Sequence, residues 1–163
     1  MPKWNYERRT RNIYRLPHHL GLAVLPEVAP SHLLSMHNVI DFRLPIGTAV
    51  FAALDGIVEV AIDHFEDNGR TEHEFFRKCN YLILKHPYNE YSVYAHLQQG
   101  SIAARVGEHV RKNQQIGVVG LSGFTSYPHL HFEVYKKNEE FGDPTLLVQF
   151  EFRKRIFTMR SPN

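Results

Sequence analysis

Pro128-His129-Leu130-His131-Phe132-Glu133-Val134-Tyr135 is the stretch that decides the fold. From His129 onward it alternates strictly: His129, His131 and Glu133 face one way, and Leu130, Phe132 and Val134 face the other. Period two marks a half-buried β-strand, and here it also sends two imidazoles to one face. Upstream segments read alike. Residues 115–119 form an apolar strand closed by Gly120, and residues 80–85 and 91–96 flank the turn His86-Pro87-Tyr88-Asn89-Glu90 as a predicted hairpin. Residues 48–53 and 57–61 flank Asp55-Gly56, a strong hairpin signal. Only residues 71–78 look helical, for about two turns. The predicted fold class is all-β: a mainly antiparallel sheet or sandwich with few short helices and long loops.

Composition agrees with one domain that has a sizeable core: 163 residues, 43% hydrophobic, 12% aromatic and 22% charged. It excludes a disordered chain, a collagen-like fibre and a coiled coil. A single cysteine, Cys79, excludes an intramolecular disulfide framework and any multi-cysteine zinc or redox motif. No apolar run approaches about 18 residues, so no transmembrane segment is expected. No apolar stretch follows the basic residues of the N-terminus, so no signal peptide is expected. The net charge of +2 is unevenly spread, with basic clusters at both ends and a body holding 10 basic and 16 acidic residues. Such ends either solvate loose termini or grip an anionic polymer. No RNP, helix-turn-helix or zinc-finger pattern accompanies them, so no specific nucleic-acid partner is expected. Nothing in the pattern speaks to oligomeric state.

Eleven histidines are unusual, and they are scattered. Histidine is the commonest metal ligand and the usual neutral-pH acid or base. Four histidines and an aspartate stand out: His37-x-x-x-Asp41, His96 at a strand end, and His129-x-His131. Positions i and i+2 of a strand lie about 6.6 Å apart on one face. One imidazole can therefore bind a metal while the other reaches its bound water, although two surface or core histidines would give the same pattern. On a straight strand His37 and Asp41 would sit about 13 Å apart, too far to share an ion at bond lengths of about 2 Å. Sharing one requires a bend, with His37 in a loop entering the strand of Asp41. Two imidazoles and one carboxylate leave the fourth tetrahedral position open, as in catalytic zinc sites.

The order of motifs resembles the M23 zinc metallopeptidases, the lysostaphin/LytM-type cell-wall endopeptidases. The resemblance rests on His37-Asn38-Val39-Ile40-Asp41-Phe42, Gly47-Thr48-Ala49-Val50, Tyr94-Ala95-His96-Leu97 and Pro128-His129-Leu130-His131-Phe132-Glu133. The glycine landmarks at Asp55-Gly56, Val106-Gly107 and Gly117-Val118-Val119-Gly120 also fit, so about 100 residues, from Met36 to Tyr135, are covered. The resemblance implies one zinc held by His37, Asp41 and His131, with His96 and His129 as catalytic residues beside the open position. It implies a zinc-dependent endopeptidase that uses a zinc-activated water on peptide bonds, with peptidoglycan peptides as the substrate. Val39 stands where relatives often carry glycine, and the connection over residues 63–79 is longer than common. Relatives usually act outside the cytoplasm; with no signal peptide visible, compartment stays open.

The expected organisation is a single domain over 1–163: an N-terminal arm over 1–35, a catalytic core over 36–135 and a C-terminal extension over 136–163. The arm, with Pro17, Pro26 and Pro30, is expected to run over the surface. It either crosses the site, with Asn5, Asn12 or His18 within reach of the metal, or packs elsewhere. Residues 63–79 form either one wall of the substrate groove or a solvated loop. His18, His19, His32, His64, His73 and His109 read as surface residues, His86 as structural, and Cys79 as a small buried hydrophobe. By alternation Tyr94 and Glu133 share the sides of His96 and His131. The competing functional reading is a catalytically silent relative that regulates or binds cell-wall hydrolases. A lipoyl-type carrier would need a lysine at the hairpin tip, and Asp55-Gly56 has none.

Overall fold

The computed structural model describes residues 8–20, 26–27, 38–137 and 145–159. Within them lie β1 (Pro26–Glu27), β2 (Ile40–Phe42), β3 (Ala49–Phe51), β4 (Gly56–Ile62), β5 (Tyr81–His86) and β6 (Glu90–Ala95). β7 (His109–Val110), β8 (Gln115–Val118), β9 (Leu130–Lys136), β10 (Gln149–Phe152) and β11 (Arg155–Thr158) follow. The large sheet runs β1-β2-β9-β6-β5-β4-β7, and β3–β8 and β10–β11 form two smaller sheets. Every strand pairing is antiparallel, as the alternation predicts. The helical segment shrinks to a five-residue 3₁₀ turn, His73–Arg77.

Register explains the core. Ile40, Phe132, Tyr94 and Leu82 lie directly opposite one another across β2, β9, β6 and β5, and none is more than 1% exposed. They meet Val50, Ile116 and Phe150 in the hydrophobic core. One residue along, Asp41, His131 and Ala95 form a second row across the same strands. Side chains alternate across the sheet, so this row faces away from the core. The pleat alone thus brings the aspartate of one motif against a histidine of another.

The hairpin expected at residues 80–96 is present as β5–β6, turned by Pro87–Asn89. The one expected at Asp55-Gly56 is absent. β3 pairs with β8, whereas β4 pairs with β5 and β7, so the chain crosses between sheets there. Distant partners claim the corner. The Ala52 N–H donates to the Gln114 carbonyl and the Ala53 N–H to the Tyr94 hydroxyl. The Asp55 carboxylate accepts the Lys112 N–H at 2.6 Å, and its carbonyl accepts the His86 Nδ1–H at 2.8 Å. Four long-range bonds override the local turn signal.

The described stretch of the N-terminal arm, residues 8–20, keeps Arg8, Arg9, Arg11, Ile13 and Arg15 exposed but sends other side chains into the core. Tyr14 and Leu16 are buried, and bridges Arg9↔Leu147 and Tyr14↔Phe150 run the arm beside β10. His18 is likewise buried, only 3% exposed, with its ring edge-on to Phe42. The reading of His18 as a surface residue is therefore corrected: the Phe51 N–H donates to the Pro17 carbonyl and draws this stretch inward. His19, His64 and His109 are exposed. His32 lies outside the described residues.

Candidate metal centre and active site

β2, β6 and β9 end at one place, and alternate residues of β2 and β9, with the residue that follows β6, build the site. Asp41, on β2, is fully buried. Its Oδ1 lies 3.3 Å from His131 Nδ1, its partner in register on β9. His129, just before β9 and on the same face, brings its Nε2 to 3.7 Å from that oxygen. His96 follows β6; its ring centroid lies 4.5 Å from that of His129 and 5.9 Å from that of His131. Nitrogens of His96, His129 and His131 all fall within 4.8 Å of one another. Four of the five residues expected from sequence are thus together. His37 lies outside the described residues.

His96 arrives by a route that alternation does not foresee. Tyr94 belongs to the core row, so an extended strand would turn His96 toward the core as well. Instead His96 has φ +61°, a left-handed conformation that non-glycine residues seldom adopt, and its ring joins the two histidines of β9. The expectation that Tyr94 shares its side is corrected on this account. Glu133 does share the side of His131, with Oε2 at 4.0 Å from His131 Nε2.

Backbone carbonyls fix two tautomers. His96 Nδ1 lies 2.8 Å from the Ser122 carbonyl oxygen. His129 Nδ1 lies 3.0 Å from that of Tyr127 and 3.2 Å from Thr125 Oγ1. A carbonyl only accepts, so each Nδ1 carries a proton, and in the neutral ring the lone pair is on Nε2. Burial, then the neighbouring His129 and His131, push the His96 pKa down to about 3, so the ring is neutral. For His131 burial acts downward, but in the metal-free site the Asp41 carboxylate, accepting from its ring, and the charges of Glu133 and Asp41 outweigh it and leave the pKa raised. Burial raises the Glu133 pKa.

The donor set suits zinc. Two ligand atoms at about 2.0–2.2 Å on a tetrahedral ion sit about 3.3–3.5 Å apart, and Asp41 Oδ1 and His131 Nδ1 are 3.3 Å apart. Imidazole and carboxylate are the ligand types such an ion takes.

The long connection borders this site. The Asp67 carboxylate accepts the N–H groups of Gln99 and Leu121. The Arg70 N–H donates to the Gly123 carbonyl, and the Arg70 carbonyl accepts the Thr125 N–H. Residues 63–79 are therefore tied to the loop that supports His96 and His129. Sequence reasoning missed Ser122 and Thr125. Ser122 acts on His96 through a main-chain carbonyl, which leaves no side-chain signature.

The family model of peptidase family M23 matches residues 35–144, well over half of the chain. Over 100 residues the chain is 33% identical to the peptidoglycan DD-endopeptidase ShyC of Vibrio cholerae serotype O1, covering 61% of this chain and 20% of that protein. The chain spans about a fifth of the length of the curated relatives it matches. Among solved structures, a zinc-containing peptidase from Vibrio cholerae superposes with TM-score 0.50 at 26% identity, covering 97% of this chain and 40% of that one. The catalytic domain of the prophage-encoded M23 protein EnpA from Enterococcus faecalis has the same fold: TM-score 0.55 at 24% identity, covering 77% of this chain and 91% of that one. With the motifs in order and Asp41, His96, His129 and His131 gathered at one strand end, the chain belongs to peptidase family M23.

Proposed function

We propose that this protein is a zinc-dependent endopeptidase that hydrolyses peptide bonds in peptidoglycan cross-links. The observation that carries the reading is the 3.3 Å approach of Asp41 Oδ1 to His131 Nδ1 beside two histidines whose Nδ1 protons are already committed. The peptidoglycan substrate is supported by the likeness to the DD-endopeptidase ShyC. Asp41 and His131, with His37, would hold the zinc. A zinc ion so held lowers the pKa of a water ligand to about 7 and polarises a carbonyl oxygen.

The histidines supply the proton chemistry. His129 Nε2, 3.7 Å from Asp41 Oδ1, would in the neutral ring accept a proton from attacking water. The nearby carboxylate stabilises the imidazolium that results. His96 Nε2 is the second lone pair of the pair. Once protonated, either ring can donate to the carbonyl oxygen as it becomes anionic, or to the leaving amine. No glutamate base is needed.

The test is elemental analysis of the purified protein together with release of new amines from purified peptidoglycan. The expected result is one zinc per chain and amine release that a chelator abolishes. A metal-loaded, folded protein that releases no amines from any cross-linked muropeptide would favour the silent regulator instead.

A further inference from the structure

The left-handed backbone of His96 needs something to hold it. Such conformations persist only where the surroundings over-determine them. Two groups from separate segments converge on this residue. The Ser122 carbonyl takes its Nδ1–H at 2.8 Å. Cys79 Sγ takes its main-chain N–H at 3.3 Å and lies 3.6 Å from Nδ1.

Both groups are themselves pinned. Ser122 is fully buried, and its hydroxyl accepts the Asn80 N–H at 3.0 Å while donating to the Leu97 carbonyl at 2.8 Å. One serine therefore ties the start of β5, the end of β6 and its own loop together. Cys79 is backed by Gly123, which has φ +85°. A Cβ on Gly123 would meet Cys79 Cβ at 2.7 Å and Cys79 Cα at 3.0 Å. Only glycine permits this approach. Burial pushes the Cys79 thiol up to about 11, so the sulfur stays a neutral, weak acceptor.

We infer that Ser122 and Cys79 act together as positioning residues for His96, holding its backbone left-handed and its ring in the Nδ1–H tautomer, so that Nε2 faces His129 and His131. Neither touches the reacting atoms. Without the sulfur acceptor the His96 N–H loses its partner, and the extended conformation, which turns the ring toward the side of Tyr94, becomes competitive. This rests on the peptidase reading for its kinetic consequence but not for its structural one.

The experiment compares the zinc-loaded full chain with Cys79→Ser, Cys79→Val and Ser122→Ala, checking each for folding and zinc content. Valine approximates the volume of cysteine but cannot accept a hydrogen bond, whereas a serine hydroxyl can. Cys79→Val and Ser122→Ala should lower kcat about 10-fold or more with KM within about two-fold, inside the range that acid–base help supplies. Cys79→Ser should keep kcat within about three-fold of the parent. Histidine ¹⁵N spectra should show one Nδ1–H tautomer for His96 in the parent and in Cys79→Ser, and a mixture in Cys79→Val and Ser122→Ala. If valine is tolerated better than serine, the sulfur merely fills space and the inference falls. An unchanged His96 tautomer in both damaged variants overturns it as well. A parent without activity but with the single tautomer, lost in Cys79→Val, would fail the peptidase reading and leave the positioning intact.

Discussion

Asp41 and His131 face each other across two strands, and His96 and His129 approach them from strand ends; this difference in placement sets different expectations for substitution. If only three side chains hold the ion, removing one is drastic. Asp41→Ala or His131→Ala should strip zinc or weaken it greatly; one full equivalent in both variants by elemental analysis would overturn the ligand set. His96→Ala and His129→Ala should keep zinc and lose about 10²–10⁴ in rate, and zinc loss from either would move that histidine into the ligand set. Spacing and motif order made these residues legible because each acts through its own side chain. His18 was not legible. It sits in a polar stretch, yet both ring nitrogens are buried without hydrogen-bond partners. Burial, then the neighbouring His19, lowers its pKa to about 4. The folded state therefore binds fewer protons than the unfolded one below about pH 6.5. Stability is fully present above that pH and is lost as pH falls toward 4, by on the order of 2 kcal/mol. Urea melts at pH 7 and pH 5 should show this drop, and His18→Leu should shrink it. An equal drop in the variant would assign the acid sensitivity elsewhere.

At the scale of elements, period-two patterns identified the strands but not always their partners. The row Ile40–Phe132–Tyr94–Leu82 follows from alternation plus register. The corner at Asp55 does not, because Lys112, Gln114 and His86 reach it from afar. The connection over residues 63–79 is a second case: it is largely exposed, yet two of its carboxylates serve main-chain donors on neighbouring loops. Asp63 accepts the N–H groups of Ser101 and Ile102, and Asp67 those of Gln99 and Leu121. Asp67→Ala should cost about 1–3 kcal/mol and loosen residues 63–79 ahead of the rest. Limited proteolysis should then cut first within this connection and no faster elsewhere. Cleavage unchanged from the parent would show that the Arg70 main-chain bonds suffice to hold it.

Across the whole molecule, the N-terminal arm decides between two pictures of regulation. Asn12 bonds the Pro87 carbonyl and the Glu90 carboxylate, at the β5–β6 turn. β6 spans about 17 Å from Glu90 to Ala95, so Asn12 is far from His96. His18 lies against Phe42, on the core face of the sheet rather than the face of Asp41 and His131. Asn5 lies outside the described residues. What captures the arm is Glu90, a buried carboxylate that accepts the N–H groups of Arg11 and Asn12, the Asn12 amide and the Tyr14 hydroxyl. A glutamate beginning a strand gives no hint in sequence that it serves a segment 76 residues away. Tyr14 then completes the core beside Phe150. Deleting residues 1–20 should therefore destabilise rather than unleash the protein. Loss of Tyr14 and Leu16 alone costs at least about 5 kcal/mol, or about 10–20 °C in Tm for a chain of this size. The check is a thermal melt of the truncated chain beside its peptidoglycan-hydrolysing rate. A truncation that keeps the parent Tm and gains several-fold in rate would restore the arm as a cover over the site. A large fall in Tm, with activity falling alongside it, follows from the arm as part of the core.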